Sequence, residues 1–224
     1  KRVTAIEHYT GTGNQAKLYS AERFVWGTAP QNQGALLTKG MTNAQEGYVN
    51  YTMAAYDGNH NLVRQDAYGN FTGAGPEEFK VREASTPIGD VECFTTESSY
   101  SNDGYNLLLE ERHSDGKQTS YRYQPQSNLL LAKLTGCNGR ILQREFYTYD
   151  EGIVCAVISD DGCGTGVDDL SGVSVRKIIY TPRHPGKDMA GLPQSKRECY
   201  LDLKTGKEQQ LKRSVYHYNA QLFV

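Results

Sequence analysis

Five Asn-Gly or Asp-Gly dipeptides divide the chain into short segments, and they constrain its fold more than any other feature. Glycine adopts positive φ at no steric cost, and Asn and Asp tolerate it better than most residues. Such dipeptides therefore favour tight turns between antiparallel strands. The predicted hairpin turns lie at Asp57-Gly58, Asp103-Gly104, Asp115-Gly116, Asn138-Gly139 and Asp161-Gly162.

The segments between these turns alternate with a period of two, which is the period of a β-strand. In residues 48–56, Val49, Tyr51, Met53 and Ala55 fall on one face. The same alternation places Thr119, Tyr121 and Tyr123 on one face, and Tyr147 with Tyr149 on another. The predicted fold class is all-β: a curved array of antiparallel hairpins that forms a single domain over residues 1–224.

The C-terminal third continues this pattern around one long loop. A strand is predicted over 174–180, and a hairpin over 198–203 and 211–218. Between them, residues 181–194 contain three prolines and two glycines, which favour an irregular loop. The segment 76–84 has the composition of a short helix, with Pro76 at a plausible first position and acidic residues in the first turn.

Composition excludes two classes of function. The 224 residues carry 24 Lys and Arg against 26 Asp and Glu, so the chain lacks the basic field that non-specific nucleic-acid binding needs. No run approaches the roughly 18 apolar residues of a membrane span. Hydrophobic residues make up only 38%, while Tyr reaches 16, which predicts a thin core built with amphipathic side chains. The five cysteines lack zinc-ligand spacing, and reduced thiols are expected.

A tyrosine followed by a turn and then by an apolar pair recurs along the chain. Tyr56-Asp57 leads to Leu62-Val63, and Tyr149-Asp150 leads through Gly152 to Ile153-Val154. Each such unit is one hairpin, which cannot bury a face alone, whereas stacked units can. The residues predicted to define the repeat are Tyr56, Asp57, Tyr100, Gly104, Tyr123, Tyr149, Asp150, Gly152, Gly162 and Tyr218.

These units resemble the Rhs / YD-repeat family, whose pattern runs Tyr-Asp-x-x-Gly-Asn/Arg-Leu and closes with a later Gly. Residues 149–162 and 56–69 look like such units, although His60 stands about where the first should have a Gly. Three further stretches, 24–27, 67–73 and 191–208, are similar to Rhs proteins of chlamydia-related bacteria.

The resemblance implies a function for the chain as part of a larger protein. Rhs-type proteins form a large hollow β-cage that encloses a C-terminal toxic domain, so this chain would be a wall segment of a secreted or cell-surface protein. Its partners would be the remaining YD repeats and the enclosed domain. In this pattern the repeat tyrosine lies on a strand and packs onto the neighbouring hairpin, and stacking on sugars is the alternative role.

Residue combinations that could carry catalysis are weak. His113, Ser114 and Asp115 have the residue types of a triad, but neighbours on a turn cannot form a nucleophile, base and orienting acid in line. The glycines of 162–166 are followed by no helix pattern and no Lys-Ser/Thr, so a phosphate-binding loop is not predicted. We therefore expect no catalytic site and no cofactor.

A metal site is also not predicted. Asp160, Asp161, Asp168 and Asp169 form an acidic cluster, but they lack calcium-loop spacing and a solvated turn is preferred. Two other functions stay open. A surface adhesion module would bind glycans or a protein, and a β-rich hydrolase would need acidic and basic groups that converge in a cleft.

Overall fold

The computed structural model describes residues 1–82, 84–185 and 191–219. The chain divides into two compact units, Lys1–Asp115 and Gly116–Val224. Both units consist of antiparallel strands in which each strand pairs with the next long strand along the chain. The predicted all-β class and the hairpin array are confirmed. No helix in the described part of the chain is long and apolar enough to cross a membrane.

The first unit contains a sheet of seven strands in the order β1-β2-β3-β4-β5-β8-β9, and a separate pair formed by β6 and β7. Short 3-10 turns at Gly13–Gln15 and Pro30–Asn32 lie in two of the connections. The strands are β1 Ala5–Thr10, β2 Lys17–Trp26, β3 Leu36–Asn43, β4 Tyr48–Tyr56, β5 Leu62–Gly69, β6 Lys80–Val81, β7 Pro87–Ile88, β8 Cys93–Tyr100 and β9 Leu108–His113.

The second unit contains seven strands, β10 to β16, in chain order. The predicted hairpin near the C-terminus is present, although its strands begin and end a few residues earlier than predicted. Residues 186–190 of the predicted long loop lie outside the described residues. The strands are β10 Lys117–Tyr123, β11 Leu130–Cys137, β12 Arg140–Asp150, β13 Ile153–Asp160, β14 Arg176–Tyr180, β15 Ser195–Asp202 and β16 Lys207–Val215.

A β-bulge recurs at one position of successive hairpins. The pairing register shifts immediately before an aromatic residue near the end of a strand, and this residue then pairs with Leu or Val at the start of the next. An extra residue in one strand increases local twist and leaves backbone groups unpaired. The resulting pairs are Tyr9 with Leu18, Trp26 with Leu36, Tyr56 with Leu62, Tyr100 with Leu108, Tyr123 with Leu130 and Tyr149 with Val154.

The core of each unit is thin, as the low apolar content predicts. In the first unit, buried Tyr51 meets Tyr48 edge-to-face at 5.4 Å, and Phe79 lies 6.3 Å from Tyr48. Gly40 makes this packing possible, because a Cβ there would overlap both tyrosine rings. In the second unit, one continuous cross-strand row consists of Ala132, Phe146, Ile158, Ile178 and Cys199.

The predicted helix over 76–84 is wrong for the described residues of that segment. Phe79 instead forms a β-bridge with Tyr48, and Lys80–Val81 pairs with Pro87–Ile88. Phe79 is only 6% exposed, so burial of its ring against the sheet outweighs the helical composition of its neighbours. Glu83 lies outside the described residues.

The predicted turn geometry is correct at three of the five dipeptides. Gly104, Gly116 and Gly139 have φ of 87°, 88° and 79°. In the Asp57-Gly58 turn the left-handed residue is His60, with φ of 64°, two residues beyond the predicted glycine. Asp161-Gly162 does not form a tight hairpin turn, because it opens the long connection from β13 to β14.

Candidate functional site

The repeat tyrosines act at the ends of strands. The hydroxyl of Tyr56 donates to the carbonyl of Leu36 at 3.0 Å, and that of Tyr100 donates to the carbonyl of Leu62 at 3.0 Å. The same bond joins Tyr149 to Leu130 at 2.8 Å, and Tyr218 to Pro193 at 2.7 Å. The first three bonds connect two strands of one unit, and the fourth connects the chain just before β15 to the chain just after β16.

These four bonds have one geometry. For Tyr56, the last ladder pair between the two strands is Thr38 with Met53, so the tyrosine lies three residues past this pair and its acceptor two residues before it. The same offsets apply to the other three tyrosines, whose last ladder pairs are Arg64 with Glu97, Ala132 with Phe146 and Ser195 with Val215.

Two residues that are not tyrosines make the same contact. The indole Nε1 of Trp26 donates to the carbonyl of Val3 at 2.8 Å, three residues past the pair of Ala5 with Arg23. A guanidinium nitrogen of Arg183 donates to the carbonyl of Val154, three residues past the pair of Ala156 with Tyr180. The position therefore requires a long side chain with a hydrogen-bond donor, and an aromatic ring is not essential.

The physical reason for this requirement is a carbonyl beyond the end of the ladder. The acceptor lies two residues before the last ladder pair, and its setting is exposed at Val3 and part-buried at the other five positions. A carbonyl that is shielded from water and has no partner is destabilising, so a side-chain donor that reaches back supplies the bond. We call the six donors, Trp26, Tyr56, Tyr100, Tyr149, Arg183 and Tyr218, the strand-end donors.

Other predicted repeat residues shape the turns. The Asp57 carboxylate accepts from the backbone N–H groups of Asn59 and Asn61, each at 2.9 Å. Hydrogen bonds from the Asn61 side chain and backbone lower the pKa of Asp57. Gly152 supplies a left-handed residue with φ of 79° beside exposed Asp150.

The remaining predicted residues differ in setting. Tyr123 is half-buried at a strand end, and burial is the main cause that raises its pKa. Tyr218 makes its strand-end bond, but residues 220–222 of its predicted unit lie outside the described part of the chain. Gly162 does not have a positive φ. Its lack of a side chain leaves room for the guanidinium of Arg144, which a Cβ at this position would overlap.

Sequence reasoning missed Trp26 and Arg183 as members of the repeat. A search for tyrosine followed by aspartate cannot find them, because neither has that residue pair. The signal that could have found Trp26 is the apolar pair that opens the following strand, Leu36-Leu37, which corresponds to Leu62-Val63 after Tyr56. Arg183 is followed by irregular chain, so no comparable signal marks it.

The strand-end bond of Tyr149 should contribute measurably to stability. Tyr149→Phe removes the hydroxyl, keeps the ring and leaves the Leu130 carbonyl without its donor. We expect the free energy of unfolding to fall by about 1–2 kcal/mol, measured by urea denaturation.

Tyr200 offers the matched control within the same unit. Its ring is 40% exposed, and its hydroxyl has no hydrogen-bond partner among the described residues. Tyr200→Phe should change stability by less than about 0.5 kcal/mol. Equal losses in the two variants would contradict the role assigned to the Tyr149 hydroxyl.

The acidic cluster of the second unit is organised around a buried ion network. Nε of Arg144 donates to Oδ1 of Asp160 at 2.5 Å, and Nε of Arg176 donates to Oδ2 at 2.8 Å. The side chains of Arg144 and Asp160 are both fully buried. The expectation that Asp160 belongs to a solvated turn is therefore wrong, because its register on β13 places it between the two arginines.

Arg144 also organises the connection between β13 and β14. Its Nη atoms donate to the carbonyls of Gly164 and Gly166 at 3.0 and 3.2 Å, and to that of Asp169 at 2.9 Å. Asp161 accepts from the backbone of Ser174 and Val175, and the backbone hydrogen bonds lower its pKa to about 2. The glycine-rich stretch 162–166 thus surrounds the guanidinium of Arg144 and directs carbonyl acceptors toward it.

The charge of Asp160 should be essential for the stability of its unit. Burial on its own would raise the pKa of Asp160, but the hydrogen bonds from Arg144, the Gly162 N–H and Arg176 outweigh burial, so the pKa is lowered. Stability from this group is present above the unfolded pKa of about 3.9 and is lost as pH falls through the folded value. Asp160→Asn leaves Arg144 buried without a counter-charge, and we expect a loss of about 3–5 kcal/mol at pH 7.

Asp168→Asn is the control, because Asp168 is exposed in the same connection. It should behave as the wild type in urea unfolding between pH 7 and pH 3. The Asp160→Asn variant should lose less stability than the wild type over the part of that range below about pH 4. If the wild type and Asp160→Asn had equal stability at pH 7, this result would contradict the stabilising role of the Asp160 charge.

The triad-type residues His113 and Ser114 each bond to a residue of the neighbouring strand β8. Nδ1 of His113 lies 3.0 Å from the hydroxyl of Thr96, and its ring stacks on Phe94 at 5.6 Å. The hydroxyl of Ser114 accepts from the backbone N–H of Thr95. Among the described residues, no group of three or more His, Cys, Asp or Glu side chains could hold a metal ion. All five cysteines are free thiols.

A groove of the second unit lies beside the strand-end donor Arg183. It encloses about 750 Å³ on one face of strands β12 to β16 and of the chain that follows β14. Arg183, Arg197 and Arg213 contribute positive charge to its lining, and Asp150 contributes the carboxylate. Tyr180 also lines the groove, and burial and a hydrogen bond to Glu208 raise its pKa to about 12.

Comparison with known proteins gives no family. No protein-family model matches the chain, and no curated protein matches it. Among solved structures, it is similar to the crystal structure of TcdB2-TccC3-Cdc42, with a TM-score of 0.42 and 13% identity over 92% of this chain and 14% of that chain. A structure of the Photorhabdus luminescens Tc holotoxin pore is similar with a TM-score of 0.39 and 13% identity, over 92% of this chain and 12% of that chain.

A porin-like protein from Bacteroides uniformis is also similar, with a TM-score of 0.33 and 11% identity over 93% of this chain and 92% of that chain. The chain therefore spans about a seventh or less of the two Tc toxin chains, and nearly the full length of the porin-like protein.

Proposed function

We propose that this chain is a non-catalytic wall segment of an Rhs-type β-shell that encloses an effector domain of a larger secreted or cell-surface protein. The observation that carries the proposal is the set of strand-end donors. Their hydroxyl, indole and guanidinium groups are used to join successive hairpins through backbone carbonyls. A wall needs such joints at each repeat, whereas a catalytic or sugar-binding site would need these groups free.

The proposal of an enclosed effector domain rests on the sequence resemblance to YD-repeat proteins. Half-buried tyrosines suit a wall, since a ring packs on the neighbouring hairpin while its hydroxyl satisfies a polar group. The placements of His113 and Ser114 within strand pairing also support a structural role, because both are bonded to neighbouring strand residues.

The proposal predicts that the parent protein protects a C-terminal domain. In limited digestion of the intact parent with proteinase K, that domain should survive, whereas unfolding of the parent in urea should expose it to complete digestion. The matched control is the C-terminal domain expressed alone, which should be digested without urea.

Two results would contradict the shell. One is a C-terminal domain that is digested equally fast in the intact parent and alone. The other is turnover of a substrate by this chain that His113→Ala abolishes while the circular dichroism spectrum stays unchanged. Saturable binding of a glycan through exposed aromatic residues would favour an adhesion module instead.

A further inference from the structure

The groove of the second unit places two arginines directly opposite each other. Arg197 on β15 pairs with Arg213 on β16, and Tyr180 on β14 pairs with Arg197 in the same cross-strand row. The guanidinium carbon of Arg197 lies 4.5 Å from the centre of the Tyr180 ring. Like charges directly opposite on adjacent strands destabilise a sheet. The pair is therefore unfavourable unless something negative lies between the two groups.

The described residues supply no such counter-charge. Neither Arg197 nor Arg213 forms an ion pair within the described part of the chain, where the pairs found involve other basic residues. The neighbouring acids are engaged elsewhere: Glu198 binds Lys177 and Lys196 on the opposite face of β15, and Glu208 accepts from the Tyr180 hydroxyl. Asp150 also lines the groove, but it forms no ion pair with another described residue.

The repeat itself gives a second, independent observation. Five of the six strand-end donors are Tyr or Trp, and the sixth, Arg183, stands in the wall of this groove. A tyrosine would supply the bond to Val154 without a charge. Arg183 also donates from Nη1 to the carbonyl of Gly191 at 3.1 Å, so both of its bonds use backbone carbonyls and neither neutralises its charge. Among the six strand-end donors named above, the one cationic side chain thus lines the same groove as Arg197 and Arg213.

We propose that this groove binds an acidic peptide segment, with its carboxylates held by Arg197 and Arg213 in the field of Arg183. Guanidinium groups bind carboxylates through paired, charge-assisted hydrogen bonds. The groove also presents the side-chain amides of Gln194 and Gln210, which can both donate and accept. This property matches a peptide backbone, whereas a phosphate ion at pH 7 offers mainly acceptors. The site goes beyond the proposed wall function and does not depend on it.

The test measures binding of a fluorescein-labelled ten-residue peptide of alternating Glu and Ser to the 224-residue chain by fluorescence anisotropy at low salt. The wild type should bind, and a peptide with Gln in place of every Glu should not. The double variant Arg197→Gln/Arg213→Gln should weaken binding about tenfold or more, the factor expected for loss of a charged hydrogen bond. Its circular dichroism spectrum should match that of the wild type.

Lys212→Gln is the matched control. Lys212 neighbours Arg213 on β16 and pairs with Glu198, so it lies on the opposite face of the strand. Its replacement by Gln removes one positive charge, as the single variant Arg213→Gln does. It should alter the affinity less than about twofold, which separates a site from general charge attraction. An equal loss in Lys212→Gln and in Arg213→Gln would overturn the site.

Two further measurements keep the inference independent of that peptide. In the absence of ligand, Arg213→Gln should raise the melting temperature at low salt, and this gain should shrink in 1 M salt, where charges are screened. Inorganic phosphate should compete with the peptide only weakly. Binding of phosphate without binding of the Glu peptide would overturn the assignment to an acidic peptide, and a melting temperature lowered by Arg213→Gln would overturn the repulsion on which it rests.

Discussion

The fold depends on a side-chain donor that satisfies a backbone carbonyl just beyond the end of a strand ladder, an arrangement found at six ladders of the described chain. At several of these positions the donor also stands at a bulge in its pairing with the following strand. Tyr149 illustrates the solution, since its side chain is half-buried and its hydroxyl donates to the carbonyl of Leu130. Because the same offset recurs, one local rule repeats through both units, and the chain needs few fully buried apolar residues.

The same logic explains why polar groups occupy the interior. The cross-strand row beside Phe146, Ile158 and Ile178 is formed by charged residues and not by aliphatic ones. This row consists of Arg144, Asp160 and Arg176. Burial of these charges is tolerable because each is paired, and Arg144 in addition binds three carbonyls of a long connection. The network fixes a segment that has no strand pairing of its own. By contrast, Arg197 and Arg213 of the groove form no ion pair within the described part of the chain.

Much of the fold follows from local signals in the sequence. Alternation predicts β4 with its observed ends, and the Asn138-Gly139 dipeptide predicts the turn between β11 and β12. The failures have a common physical origin in tertiary contacts. Nothing local indicates that Phe79 would be buried against Tyr48, or that Asp160 would lie between two arginines from neighbouring strands. Trp26 and Arg183 resemble the tyrosines only in having a side-chain donor three residues past the last ladder pair. This similarity can be recognised only when the strand register is known.

The most direct test of the central claim compares two residues at position 183, where the repeat departs from tyrosine. Arg183→Tyr and Arg183→Phe place the same ring beside Val154 and differ by one hydroxyl group. If a strand-end donor is what the position requires, the tyrosine variant should be more stable than the phenylalanine variant by about 1 kcal/mol in urea unfolding. Equal stabilities of the two variants would contradict the claim, because the ring alone would then suffice.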